Sequence, residues 1–298
     1  MFSTSDWISA IIIIVLFCYI LTFGIGFAIG DAIMWSGIDQ LEGEAVNELR
    51  PDYDLGDCRE LRGHISVILF FVDDHESYWT MNDIVHFTGK EIMPALEFLE
   101  DQFGNYSDPH DFLAFEIVET HSGNIYHGDV ITSVRETGLC TVDVLHQMAR
   151  TEGYPSDEAW MAAKQEQYGT EIVCLTFFNK GGAGYALNPP RGEESNPTEH
   201  CIVFARDRDS TSIGYHGFQA SLIAAEILYL YGGESLDATP EREALAESRY
   251  ADDVMLHSYY SVWEHDINDA TAFYIGWIDE APRALYLDGW NGAKETEG

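Results

Sequence analysis

Residues 216–233 read HGFQASLIAAEILYLYGG, residues 249–256 read RYADDVML and residues 267–280 read INDATAFYIGWIDE; the fold turns on these three stretches. From His216 onward the chain reads helical. The first segment is an apolar helix with a break at Gly232-Gly233. A second break falls around Asp252, and a last helix carries Ala272, Ile275 and Trp277. Taken alone, His216 is a single histidine on a helix, and a solvated side chain is its default.

Upstream, residues 64–72 (HISVILFFV) form an uninterrupted apolar run, as expected of a buried central strand. Thr80 with Asp83 three residues on marks a helix start. That helix would bury Ile84, Phe87, Ile92, Leu96, Leu99 and Phe103, with Gly89 and Pro94 weakening or bending it. Residues 112–118, 172–178 and 201–205 read as further strands, and residues 141–152 and 156–168 as helices, the second stopped by Gly169. The segment KGGAG (180–184) lacks the order of a phosphate loop and reads as a hairpin turn leading into the short run Tyr185 to Leu187. Strands with interspersed helices followed by helices alone point to an α+β or mixed α/β architecture.

The stretch 216–280 resembles the second half of a family of bacterial and archaeal zinc-metallopeptidase-like proteins, zincins in fold. They carry H-E-x-x-H-x-x-G-A-x-D-L-Y, then Y-x-x-D-I-M, then a helix close to I-x-x-L-T-A-Y-x-I-G-W. His216 falls on the first histidine, Ala224 on the alanine and Glu226 on the aspartate. Tyr250, Asp253, Val254 and Met255 fall on the second motif; Ile267, Thr271, Ala272, Ile275, Gly276 and Trp277 fall on the third. The strand ending Val72-Asp73-Asp74, followed by Trp79-Thr80, and the segments FFNKGGAGYA and CIVF extend the likeness over residues 63–280. The resemblance implies a zincin-like mixed sheet, an active-site-type helix and C-terminal helices. It also implies a groove beside an edge strand, for which Tyr185 to Leu187 is the candidate, and an apolar floor at Met255.

The departures matter as much. In an active zincin two histidines one turn apart hold Zn²⁺ and the intervening glutamate is the general base. On this placement the glutamate position is Gly217, the second histidine is Ala220 and the chain-turning glycine is Ile223. In a straight helix Glu226 lies about 15 Å along the axis from His216, too far to share a metal. The resemblance therefore implies a degenerate peptidase, catalytically inactive, that keeps His216, Glu226 and Met255 as former-site residues and needs no cofactor. His257 and His265, near Asp252, Asp253, Glu264 and Asp266, are the remaining metal candidates with His216. Cys140 with His146, and Ser221 near His216, lack a third orienting group as nucleophile pairs.

The N-terminus sets location. Residues 7–30 contain no charge, and as a helix they would extend about 36 Å, enough for a hydrocarbon core of about 30 Å. A cleaved signal peptide is the rival, with Ala28 and Gly30 suitably small, but no Lys or Arg precedes the apolar stretch. Residues 31–62 carry nine acids against three arginines, which an anionic inner leaflet would repel, so the domain is expected outside. The organisation read from this is a short tail (1–6), an anchor (7–30), an acidic juxtamembrane segment (31–62), a globular domain (63–290) and a tail (291–298).

With 51 acids, 15 bases and a net charge of −36, nucleic acid is excluded as a partner by repulsion. The acidity suits a soluble surface or one that attracts cations and basic partners. Outside the anchor, Cys58, Cys140, Cys174 and Cys201 permit two disulfides or stand as buried thiols. The expected function is a membrane-anchored, cell-surface binding module that takes a peptide or protein ligand. The alternatives are an active zinc peptidase with ligands drawn from His216, Glu226, His257 or His265, and a structural acidic surface protein.

Overall fold

The structure, a computed structural model, describes residues 58, 61–75, 77–123, 144–182, 184–187, 199–206, 218–258, 261–286 and 290. His216, Gly217, Cys140, the expected anchor 7–30 and the tail 291–298 lie outside the described residues. Among the described residues no helix is long and apolar enough to cross a membrane.

Five strands form one mixed sheet: β1 (Gly63–Val72), β2 (Leu113–Gly123), β3 (Glu171–Gly181), β4 (Tyr185–Leu187) and β5 (His200–Arg206). They lie in the order β2-β1-β3-β5-β4. The first four of that order run parallel, with Ile65 opposite Glu171 and Leu175 opposite Cys201. β4 is the antiparallel edge, with Ala186 opposite Cys201. β1 is buried throughout from Ile65 to Val72, as a strand covered on both faces must be.

The KGGAG segment is not the turn of a β3–β4 hairpin. β4 pairs with β5, which inserts between β4 and β3, so the glycines carry the chain past β5. Small residues are required there by close approach. A Cβ on Gly182 would lie 2.4 Å from the Phe204 ring, and one on Gly184 would meet Leu222 at 3.0 Å and Glu226 Oε1 at 3.2 Å.

One face of the sheet (Ile68, Phe70, Val72, Ile172, Cys174, Phe178, Ile202, Phe204) is covered by helical residues 144–151, designated α3, and by α4 (Asp157–Tyr168). α4 is delimited by its caps. Ser156 Oγ accepts from the Ala159 amide at 3.3 Å, and Gly169 closes the other end at φ 69°. Alternation puts Phe71, Phe177, Cys201 and Val203 on the other face. There Phe71 and Phe177 stack at 5.3 Å and meet Trp79 and Phe87.

A long helical segment crosses that second face. It consists of α1 (Met81–Phe87), a π-helical turn (Thr88–Ile92) and α2 (Met93–Phe103). Thr80 and Asp83 form the expected reciprocal cap, each side chain accepting the other's backbone N–H at 3.2 Å. All six apolar residues expected inside are buried. The bend is a π turn carrying Gly89, and it rotates Glu91 into the interior.

The second face is completed by α5 (Phe218–Leu230), which packs on β5, β4 and the π turn. Beyond it lie α6 (Pro240–Arg249), a short helical turn (Val262–Glu264) and α7 (Asp269–Tyr274). Trp277 is buried after α7, where its ring packs on Phe103 (5.3 Å) and Tyr106 (5.9 Å). Cys58, Leu61 and Arg62 join the domain. The Leu61 carbonyl accepts from Trp277 Nε1 at 2.9 Å, Arg62 donates to the Gly276 carbonyl at 2.9 Å, and the Cys58 amide donates to Glu199 at 2.6 Å. Cys58, Cys174 and Cys201 are buried and form no disulfide among the described residues.

Candidate functional site

α5 is buried nearly all round: Ala220, Ser221, Ile223, Ala224, Ile227 and Leu228 are inaccessible. Its buried N-terminus needs acceptors for orphan amides, and Glu91 supplies one, its Oε2 accepting from the Ala220 amide at 3.1 Å. The helix then runs unbroken through Ile223 and Glu226 and ends at Leu230. The chain turns at Gly232, φ 87°, and Gly233, whose amide bonds back to the Leu228 carbonyl at 2.8 Å. A Cβ on Gly233 would lie 3.2 Å from Met255 Cε, so the turn rests directly on Met255.

Between α5, the edge strand β4 and the Met255 turn lies a cavity of about 480 Å³. Leu222, Ala225, Glu226 and Tyr229 face it from the helix, and Gly184 and Ala186 from the edge. Val254, Met255, Leu256 and Ser258 form the floor, and Asp237 stands exposed at one side. Glu226 is 3 % exposed. It accepts from the Ala186 amide, and its Oε2 has no hydrogen-bond partner among the described residues. Burial pushes its carboxyl up to about 8, against the lowering effect of that one amide. Burial likewise lifts Tyr229 to about 12; its hydroxyl is hydrogen-bonded to Ser235, which donates to Asp237.

The floor is held by Asp253. Its carboxylate accepts from the Met255 amide (2.8 Å), the Asn268 amide (2.9 Å) and the Thr271 hydroxyl (3.0 Å). Asn268 is the cap position of α7 and makes no side-chain cap itself; Asp253, from another segment, holds its amide and the Thr271 hydroxyl of the first turn. A backbone bridge reinforces the junction: Val254 donates to Asp266 at 3.0 Å and Asp266 to Asp252 at 2.8 Å. Burial raises Asp253 to about 6 despite these donors.

Of the residues singled out in the sequence, Glu226 and Met255 meet in this cavity and Tyr185 to Leu187 forms its edge strand. Ala220 is not part of it, since at 100° per residue position 220 lies nearly opposite the face bearing Leu222, Ala225, Glu226 and Tyr229. His257 and His265 are not among the lining residues either. They neighbour one another, and the His265 ring lies 3.3 Å from the Asp252 carbonyl, its pKa lowered by burial. His146 contacts Asp157 and Arg150 on the other face of the sheet. Sequence reasoning missed Tyr229, Ser235, Asp237 and Glu91; the signal available was Gly232-Gly233, a chain turn of the kind the resemblance requires.

Tetrahedral zinc asks for imidazole, thiolate or carboxylate donors. Among the described residues the cavity is lined by Glu226 and Asp237 but by no imidazole or thiolate, and this set does not fit a zinc centre. Elsewhere, Glu119, His121 and Glu152 bring ligand atoms within 4.8 Å of one another. There the positive charge is the protein's own: Lys164 donates to Glu119 at 2.7 Å and to Glu152 at 2.9 Å, and lies 5.4 Å from the Trp160 ring. No family model matches the chain, and no curated protein matches it.

Proposed function

We propose that this is a zincin-like domain that has lost its metal ligands and binds an extended peptide segment without cleaving it, at a membrane surface reached through residues 7–30. The observation that carries the reading is the cavity itself. It lies between an antiparallel edge strand and a buried helix, is floored by Met255, and among the described residues is lined by a glutamate but by no histidine or cysteine.

The geometry supports a different frame for the degenerate motif from the one that starts at His216. In H-E-x-x-H-x-x-G-x-x-H the glycine turns the chain after the helix and a third ligand follows. Gly232 is the glycine that turns this chain, which sets the frame at Ala225, Glu226, Tyr229, Gly232 and Ser235. In that frame the general-base glutamate is retained as Glu226, and Leu236 falls on the leucine of the family pattern. Ala225, Tyr229 and Ser235 replace the three ligands. Ala225 and Tyr229 line the cavity, and Ser235 is bonded to Tyr229. A tyrosine–serine hydrogen bond thus stands where a metal would tie helix to turn.

Without an ion to polarise a carbonyl or activate water, the groove retains binding surface but no hydrolytic centre. An edge strand beside a side-chain pocket is the arrangement that captures extended peptides by strand addition. The test is incubation of the purified protein with a mixed peptide library, followed by mass spectrometry. Recovery of a bound subset with every peptide intact, lost on Leu222→Trp, supports the reading. Cleavage that a chelator abolishes contradicts it.

A further inference from the structure

We infer that the cavity beside Glu226 is a receptor for a lysine or arginine side chain of the bound segment. The inference rests on the peptide-binding reading and names the chemistry that the pocket selects.

Three features combine. Leu222, Ala225, Val254, Met255 and Leu256 give the pocket apolar walls, which suit the methylene stem of a long basic side chain. Glu226 is buried, and one of its oxygens has no partner among the described residues, so an acceptor is available where the charged head of such a side chain would arrive. Asp237 is exposed beside the cavity and lies in the path of an entering cation, and the Tyr229 ring offers a π face. Among the described residues no basic side chain lines the cavity to compete for either carboxylate. A chain carrying −36 steers basic partners toward itself over a long range, but only a buried acceptor distinguishes a cationic group from a neutral one of the same shape.

Proton linkage follows. Among the described residues the groups near Glu226 are the Ala186 amide on β4, the Cys201 thiol on β5 and Tyr229 on its own helix, with Asp237 lining the same cavity. Burial keeps the thiol and the phenol neutral at pH 7, so Glu226 is the group near pH 8 that gains charge when a cation arrives. Its proton leaves to solvent as the bound ammonium or guanidinium replaces it, and affinity rises with pH from 6 to 9.

The probe is acetyl-Ala-Ala-Arg-Ala-Ala-amide, titrated calorimetrically into the full chain beside the peptide with citrulline in place of arginine. The expected result is one site, at least tenfold tighter for arginine in 0.3 M salt, with up to one proton released per peptide in buffers of different ionisation enthalpy. Glu226→Gln, which keeps the shape, should remove the preference and the proton release. Equal binding of the two peptides, blocked by Leu222→Trp, would overturn the cation receptor and leave the peptide-binding reading standing. No binding of either would overturn both, as would arginine binding unaffected by Glu226→Gln, which would assign it to the acidic surface alone.

Discussion

The Asp253 carboxylate accepts the Thr271 hydroxyl at 3.0 Å while holding the Met255 amide at 2.8 Å, so one buried side chain fastens the cavity floor to the N-terminus of α7. Asp253 and Thr271 are eighteen positions apart in the chain, and the clamp brings them into contact.

Asp253→Ala takes the acceptor from the Met255 and Asn268 amides and the Thr271 hydroxyl in a buried junction and should cost about 3 kcal/mol of stability. Thr271→Val removes one donor and should cost about 1 kcal/mol. The double variant should fall short of the sum, because part of the loss is shared. Urea unfolding of the three variants measures this; strict additivity would show that the two groups do not act together.

Glu226 sets a pH dependence of folding. Its folded pKa of about 8 lies above its value of 4.5 in an unconstrained chain. The protonated form is therefore favoured on folding, and the stabilisation present at acid pH is lost as pH rises toward 8. Asp253, raised to about 6, acts in the same direction at lower pH. Between pH 6 and 8 the Glu226 contribution dominates and is worth about 2 kcal/mol. Glu226→Gln should flatten the stability profile across that interval, and below pH 6 it should leave only the slope that Asp253 contributes. An unchanged profile from pH 6 to 8 would show that the carboxyl is not buried as described.

Glu91 caps α5 from the π turn. Glu91→Ala deprives the buried Ala220 amide of its acceptor and should cost about 1–3 kcal/mol. Hydrogen exchange at the first turn of α5 should accelerate more than exchange at its last turn. A uniform change along the helix would argue against a capping role.

Legibility divides along local and non-local lines. The Thr80–Asp83 cap, the Ser156 and Gly169 ends of α4 and the apolar run of β1 are encoded within a few residues, and each stands where the sequence places it. The hairpin reading of KGGAG failed because β4 finds its partner across the segment that follows, and no local pattern records that β5 inserts between β3 and β4. The cavity was hidden for another reason. α5 is apolar on every side, so its periodicity gives no phase. Only the turn at Gly232 against Met255 reveals which face meets the edge strand. Glu91 reads as a solvated helix acid until a π turn rotates it inward.

The most direct test of the account is the zinc content of Ala225→His/Tyr229→His/Ser235→His beside the unmodified protein and Gly217→Glu/Ala220→His, each measured after dialysis against equimolar zinc. The account predicts no zinc in the unmodified protein, one ion per chain in the triple variant, and none in the Gly217–Ala220 variant, whose position 220 faces away from the cavity. Stoichiometric zinc in the unmodified protein, or zinc regained only by the Gly217–Ala220 variant, would contradict it.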